Sequence, residues 1–419
     1  MSEQRTTLVY VVVALALVVL AFVFSPRKIT PDAFLDQGEQ FFPAFTDPNE
    51  AVSLEVVTYD SVTGSTYPFK VSFESGRWVI PSHNNYPADA QDRLAKTAAG
   101  VIDIKKDDYR TDNVADHEIC GVIDPLDESA TALSSRGKRV TIKGQNEKIL
   151  ADLIIGNKVQ GRENFRFVRV PDQKRVYAVR MDVNISSNFA DWIDTDLLKI
   201  NQKEIDKVVL KDYSIDERTM SIDLRDNLEL TLKDSTWTAN NMKKSEMVDS
   251  VMIGKFLSAL DNLNIVGVLP KPEGLAKILQ EPSGTNSITM QDQISLQGKG
   301  FFFTRSGQLY SNEGELQVYT QKGVIYYLRF GEVVFGSGLA AGGGADDGKS
   351  KDETAENRYL FITAAFDEKK NIDDKEKEEG RLIVNEANNR FADWFYVIPA
   401  GSFENLRLGR RDLVVPKGA

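Results

Sequence analysis

The tetrapeptide Phe-Ala-Asp-Trp occurs twice, at residues 189–192 and 391–394, in a chain with only four tryptophans. With each residue type near one in twenty, that coincidence has a chance on the order of one in a thousand. The repeat points to a chain built from two copies of one unit.

Other segments fall into the same order in both halves. In the first, Val52, Leu54 and Val56 alternate as a half-buried strand would. Phe69, Val71 and Phe73 follow, then a Glu-Ser-Gly turn, then Trp78 and Ile80, the pattern of a β-hairpin. Pro87 opens a helical stretch with Leu94, Ala98, Val101 and Ile102 on one face. In the second half, residues 205–210 and 220–239 again give strands and a turn ending on Trp237. Ser245 then precedes a helix whose stripe is Val248, Val251, Met252, Phe256, Ala259, Leu260 and Leu263.

Downstream, residues 139–157 resemble 315–332 in pattern, and 163–172 resemble 357–367. The expected organisation is two tandem α+β units with mixed or antiparallel sheets, residues 51–200 and 201–419. Trp78 should correspond to Trp237, and Trp192 to Trp394. The second unit is longer by two excursions, near 336–356 and 367–380, rich in glycine or charge and without apolar periodicity.

The N-terminus reads as a membrane anchor. From Thr6 to Pro26 there are 21 residues without a charge, and at about 1.5 Å per residue such a helix spans a bilayer. No Ala-x-Ala site precedes Ser25, so an uncleaved anchor is expected from Leu8 to Phe24, contacting membrane lipid. A short leader, 1–7, precedes it, and a Pro-punctuated connector, 25–50, follows. Arg5 before the span is balanced by Arg27 and Lys28 after it. The expected placement is single-pass in a bacterial inner membrane with the bulk outside the cytoplasm.

A net charge of −11 argues against a nucleic-acid partner, because phosphate binding needs a basic face. Cys120 is the only cysteine, and His83 and His117 are the only histidines. That excludes an intrachain disulfide and a cysteine metal cluster.

Several of these elements occur together in a known family. The anchor, the Gly76-Arg77-Trp78 hairpin, the element Gly121-Val122-Ile123-Asp124-Pro125-Leu126, the Leu153-Ile154-Ile155-Gly156 strand end and the tail 391–415 resemble the bacterial domain-of-unknown-function family numbered 4340. The family's usual Gly-Leu-acid-x-Pro element stands here as Gly121 to Pro125. The resemblance implies a membrane-anchored protein associated with ABC-transporter subunits of the gliding-motility type. It carries over no catalytic residue, metal or cofactor. The implied role is a non-enzymatic interaction or scaffold protein of an ABC-type transport or gliding-like envelope complex. Two alternatives stand beside it: an envelope-polysaccharide binder using exposed aromatics, and a carboxylate-based hydrolase.

The chemical motifs carry little. Gly343 with Gly348-Lys349-Ser350 satisfies the Walker A spacing, and Asp367-Glu368 imitates Walker B. Asp346 and Asp347 would sit inside the phosphate cradle, and another strand begins too soon for a crossover helix. Gly336 to Ala341 imitates a dinucleotide fingerprint without a surrounding βαβ unit. The paired carboxylates Asp107-Asp108 and Asp373-Asp374 read as solvated surface, and His83 as a surface residue. His117 and Cys120 lack further metal ligands. The tryptophans read first as core or corner residues. If 336–356 is a plain excursion, Lys349→Ala changes stability by less than about 0.5 kcal/mol, and millimolar Mg-ATP leaves the melting temperature unmoved. An upward shift with Mg-ATP that disappears in the variant would make this a nucleotide site.

Overall fold

The computed structural model describes residues 10–19, 35–132, 134–216, 218–219, 221–280, 288–303, 308–335 and 356–417. Residues 10–19 form a helix, α1. The expected span Leu8 to Phe24 and the connector 25–50 lie only partly within the described residues. The leader 1–7 and all but the last residue of the 336–356 excursion lie outside them.

The first sheet is built from β1 (Ser53–Asp60), β2 (Ser65–Glu74), β3 (Arg77–Ile80), β4 (Tyr86–Pro87), β5 (Asp108–Thr111), β6 (Lys138–Lys143), β7 (Ile149–Lys158), β8 (Phe165–Arg169) and β9 (Val176–Arg180), with helices α2 (Gln91–Ile102) and α3 (His117–Cys120) between strands. The second is built from β10 (Ile205–Asp216), β11 (Ser221–Lys233), β12 (Thr236–Ala239), β14 (Gly267–Pro270), β17 (Glu315–Thr320), β18 (Val324–Phe335), β19 (Glu356–Phe366) and β20 (Trp394–Pro399). Two small ribbons pair β13 (Glu246–Val248) with β21 (Val414–Pro416) and β15 (Phe301–Phe303) with β16 (Leu309–Ser311). The remaining helices are α4 (Ser250–Asp261), α5 (Glu273–Gln280), α6 (Met290–Gln297), α7 (Asp374–Ala392), α8 (Ala400–Leu406) and α9 (Arg410–Leu413). The fold is α+β, and neighbouring strands in both large sheets run antiparallel.

Strand order is the same in the two sheets once the edge strand β4 is set aside. The first runs β3-β2-β1-β6-β7-β8-β9-β5 and the second β12-β11-β10-β17-β18-β19-β20-β14. Trp78 is the second residue of β3 and faces Phe73; Trp237 is the second residue of β12 and faces Leu232. Gly156 and Gly331 stand near the ends of β7 and β18 for one reason. A Cβ on Gly156 would lie 2.3 Å from the Cys120 carbonyl oxygen, and one on Gly331 2.1 Å from that of Lys299. In each sheet a covering segment presses its backbone onto that strand, where a side chain has no room.

The second tetrapeptide does not repeat the first in position. Phe189–Trp192 is a short 3-10 turn that follows β9, the last strand of its sheet in sequence. Phe391 closes α7, and Trp394 opens β20, the strand equivalent to β9. The expected match of Trp192 with Trp394 is therefore corrected, while that of Trp78 with Trp237 holds. What the copies share is packing. Tyr86 meets Phe189 edge-on at 5.5 Å and Trp394 at 5.1 Å, so one residue from each tetrapeptide closes on the same ring.

A single apolar cluster runs through both sheets, from Leu54, Phe69 and Val140 to Val208, Leu230 and Leu328. The expected stripe around α4 is largely present, with Val248, Phe256, Leu260 and Leu263 buried and Met252 and Ala259 packed on the core, but the cap of the helix differs. Asp249, not Ser245, caps it, accepting from the backbone of Val251 at 2.8 Å and Met252 at 3.1 Å. That phase buries Ile253, Phe256, Leu257 and Leu260 and leaves Val251 63% exposed. The charged run near 367–380 is also not wholly an excursion. Asp373 and Glu376 form a capping box, and residues from Asp374 onward are the opening turns of α7. Its buried side, Gly380, Val384, Ala387 and Phe391, begins only after those charges.

Candidate functional site

Two adjoining hollows open on the first sheet, with volumes of about 730 and 1260 Å³. The smaller lies along α2, where Arg93, Lys96 and Thr97 meet Lys105 and Arg180. The larger is framed by the start of β6, the end of β7 and the β7–β8 hairpin, including Lys138, Lys158, Arg162 and Arg166. Asp182, Val183 and Asn184 belong to both and form the ridge between them. Gly100 lets that ridge lie against α2, since a Cβ there would sit 2.5 Å from the Val183 side chain.

Nine basic side chains and four carboxylates line the hollows, in a chain whose net charge is −11. The arginines are largely committed to structure. Arg136 donates to the carbonyls of Asp124, Pro125 and Ala130 at 2.9 to 3.2 Å. Arg162 pairs with Asp108 and lies 3.5 Å above the Phe165 ring. Arg93 reaches Asp191 at 3.0 Å, and Arg180 reaches Asp182 at 3.1 Å. Lys96, Lys105 and Lys158 are exposed, and among the described residues their ammonium groups have no ion-pair partner.

The chain arrives from its N-terminal side beside this surface. Gln37 donates to Asp108 at 3.4 Å, Gly38 N–H to the Lys106 carbonyl at 2.8 Å, and Gln40 bridges Lys105. Asp36 bonds the Tyr177 hydroxyl and pairs with Lys106 at 3.4 Å. Burial pushes the Asp36 carboxyl up, yet Tyr177, Lys106 and Arg175 together hold it below its ordinary value.

The residues singled out in the sequence do not gather here. His83 is buried rather than on the surface, with 2% exposure. It stacks on Phe189 at 4.5 Å and meets the Ser82 hydroxyl at 3.1 Å through Nδ1. Burial lowers its pKa to about 4, so it is neutral at physiological pH. His117 bonds the Lys174 carbonyl at 2.8 Å, and burial raises the Cys120 thiol. Among the described residues no cluster of His, Cys, Asp and Glu could hold a metal ion.

Trp192 is fully buried, and Trp78, Trp237 and Trp394 pack on the same core. Phe165 is the one aromatic residue lining either hollow among the described residues.

The carboxylate pairs have structural duties. Asp107 accepts from the Arg180 backbone at 2.8 Å, Asp108 pairs with Arg162, and Asp373 caps α7. Elsewhere Arg175 holds Asp112 below its ordinary value, and Lys143 does the same for Glu147. A glycosidic general acid needs the opposite shift. The Walker-like string lies outside the described residues, but the strands flanking it, β18 and β19, pair directly and antiparallel. A phosphate-binding loop instead joins a strand to a helix. Asp367 accepts from the Lys369 backbone at 3.1 Å, and Glu368 pairs with Arg381 at 2.7 Å.

Residues 78–281 match the family described as Domain of unknown function (DUF4340). Over that stretch the chain belongs to this family. All residues lining both hollows fall inside the DUF4340 match. No curated protein and no solved structure matches the chain.

Sequence reasoning missed the hollows and one further group. The signal for the hollows was present between 158 and 180, where seven basic residues face only Glu163 and Asp172. The other group is Lys271, also within the DUF4340 stretch, which is 6% exposed. Its ammonium donates to the Phe391 carbonyl at 2.7 Å and lies 4.1 Å from the Phe361 ring and 5.5 Å from that of Phe395. Desolvation drives its pKa well below 10.5, while Asp393 and the ring faces pull the other way. Desolvation prevails, because one carbonyl and two rings replace a full hydration shell.

The folded state therefore sheds this proton before the unfolded state does. Between the folded value and 10.5 the unfolded chain binds more protons, so stability rises with pH across that window. Lys271→Met should flatten that rise and add about 1–3 kcal/mol at neutral pH. The Phe391 carbonyl keeps a second donor, the Asp393 N–H. Melting curves from neutral to alkaline pH check this. A fall in stability at neutral pH with the slope unchanged would show a charged, ring-stabilised ammonium instead.

Proposed function

We propose that the chain is a non-enzymatic, single-pass membrane protein whose two units, related by duplication, act as an interaction module of an ABC-type transport or gliding-like envelope complex. The observation that carries the membrane part is α1. Its large apolar side chains are between 49% and 70% exposed on every side of the helix, from Val13 to Tyr10. A helix apolar all round calls for lipid or protein cover, and lipid suits the uncharged run it belongs to. Among the described residues no helix is long and apolar enough to cross a membrane, and the described part of α1 has ten residues. The proposed span continues to Leu8 and Phe24, beyond them.

The common strand order and the matched Trp78 and Trp237 support duplication. The interaction role is supported by what the candidate groups already do. His83, His117, Cys120 and the paired carboxylates are engaged in packing, caps and ion pairs. The link to a transporter is analogy from the family alone.

Two reporters fused in turn to the C-terminus test the placement. An alkaline phosphatase fusion, which folds only in an oxidising compartment, should be active, and a cytoplasmic reporter at the same point silent. The reverse pattern would place the bulk in the cytoplasm. Purification of the full chain from mild detergent should bring transporter subunits in fixed ratio; recovery of the chain alone would contradict the accessory role.

A further inference from the structure

We infer that the paired hollows of the first unit bind the phosphate-bearing headgroups of anionic lipids in the membrane that holds the anchor, an inference that rests on the anchor reading. Two independent observations lead there. The first is charge. The lining carries nine basic side chains against four carboxylates within an acidic chain, and Lys96, Lys105 and Lys158 present unpaired ammonium groups to solvent among the described residues. Juxtamembrane lysines gain their attraction from a surface of anionic headgroups, and the attraction fades within a Debye length.

The second observation is where the chain arrives. Gln37 touches Asp108, which is the partner of Arg162 on the rim of the larger hollow. Gln40 bridges Lys105, which lines the smaller one. Only residues 25–36 separate Gln37 from the end of the proposed span, a reach of at most about 45 Å even if fully extended. The tether is short enough to confine the cationic face to the neighbourhood of the bilayer and long enough to let it reach the surface.

Competing anions fit less well. A nucleic acid would meet a chain of net charge −11. A sugar chain would want an open aromatic face, and the Phe165 ring carries the Arg162 guanidinium. A headgroup needs only the cations and a hollow open to the bilayer.

The test uses the full chain with Gln160→Cys, at an exposed position of the β7–β8 hairpin. A donor dye is attached there, Cys120 being buried. Vesicles carry a headgroup-linked acceptor in phosphatidylcholine alone or mixed with phosphatidylglycerol. The chain should float with both, and energy transfer should be several-fold higher with phosphatidylglycerol. Transfer should fall in high salt and in Lys96→Glu/Lys158→Glu, each lost cation weakening the contact by about fivefold.

Equal transfer on both lipids, indifferent to charge reversal, would overturn the inference. So would a heparin-induced rise in melting temperature in detergent without lipid-dependent transfer, which would name a soluble polyanion. Flotation with anionic vesicles only, lost on charge reversal, would sink the anchor and leave the headgroup site standing. Flotation with neither vesicle would sink both.

Discussion

The two halves are held in one arrangement by what surrounds Tyr86. Its ring lies edge-on to Phe189 of the first half and Trp394 of the second. Its hydroxyl lies beside that of Tyr396, which donates to the Arg390 carbonyl at 3.2 Å. Burial pushes that hydroxyl up to about 12, so it stays a donor throughout the physiological range. Beside it Asn84 donates to the Val268 carbonyl at 3.3 Å, and Arg390 to that of Leu197 at 3.0 Å. Buried aromatic edges with a satisfied hydroxyl contribute both area and direction. They weld two sheets that each carry helices of their own into one apolar cluster.

That weld bears on the site by leaving the first sheet's far end free. At the corresponding end of the second sheet, Lys299 and Phe301 close over Gly331, and the Lys299 carbonyl takes the Glu332 N–H at 2.9 Å. In the first sheet the cover over Gly156 comes from the turn at Cys120, and the hollows open beside it. One strand order thus supports a covered end in one unit and an open end lined by basic side chains in the other. The second unit's cover comes with α5, α6 and the β15–β16 ribbon, which stand between β14 and β17. The two hairpins that carry Trp78 and Trp237 remain alike because their register depends only on local turns and alternation.

Legibility followed the same division. Alternating Leu54 and Val56, the Phe69-Val71 face and the short tryptophan strands were readable because their burial pattern is local. The stripe around α4 was legible except at Val251, which turns outward in the first turn after the cap, Asp249, four residues past the Ser245 expected to start the helix. The first turns of α7 hid behind eight residues in which charge outweighs any apolar period. His83 looked exposed between Ser82 and Asn84, since nothing nearby in sequence announces Phe189, which stacks on it from a hundred residues away. The tetrapeptides misled as register marks for a related reason. Phe and Trp three residues apart suit both a 3-10 turn and a helix-to-strand corner, and both corners happen to close on Tyr86. The hollows were the least legible, because strand order, not spacing, brings Arg93, Lys105, Lys158 and Arg180 to one surface.

The claim that one welded core unites both sheets is most directly tested by differential scanning calorimetry of the full chain and of Tyr86→Ala. The wild-type chain should unfold in a single cooperative transition. The variant, losing a buried aromatic worth about 3–5 kcal/mol, should split into two transitions, one for each sheet. Two independent transitions in the wild type, or a variant that melts as the wild type does, would contradict it.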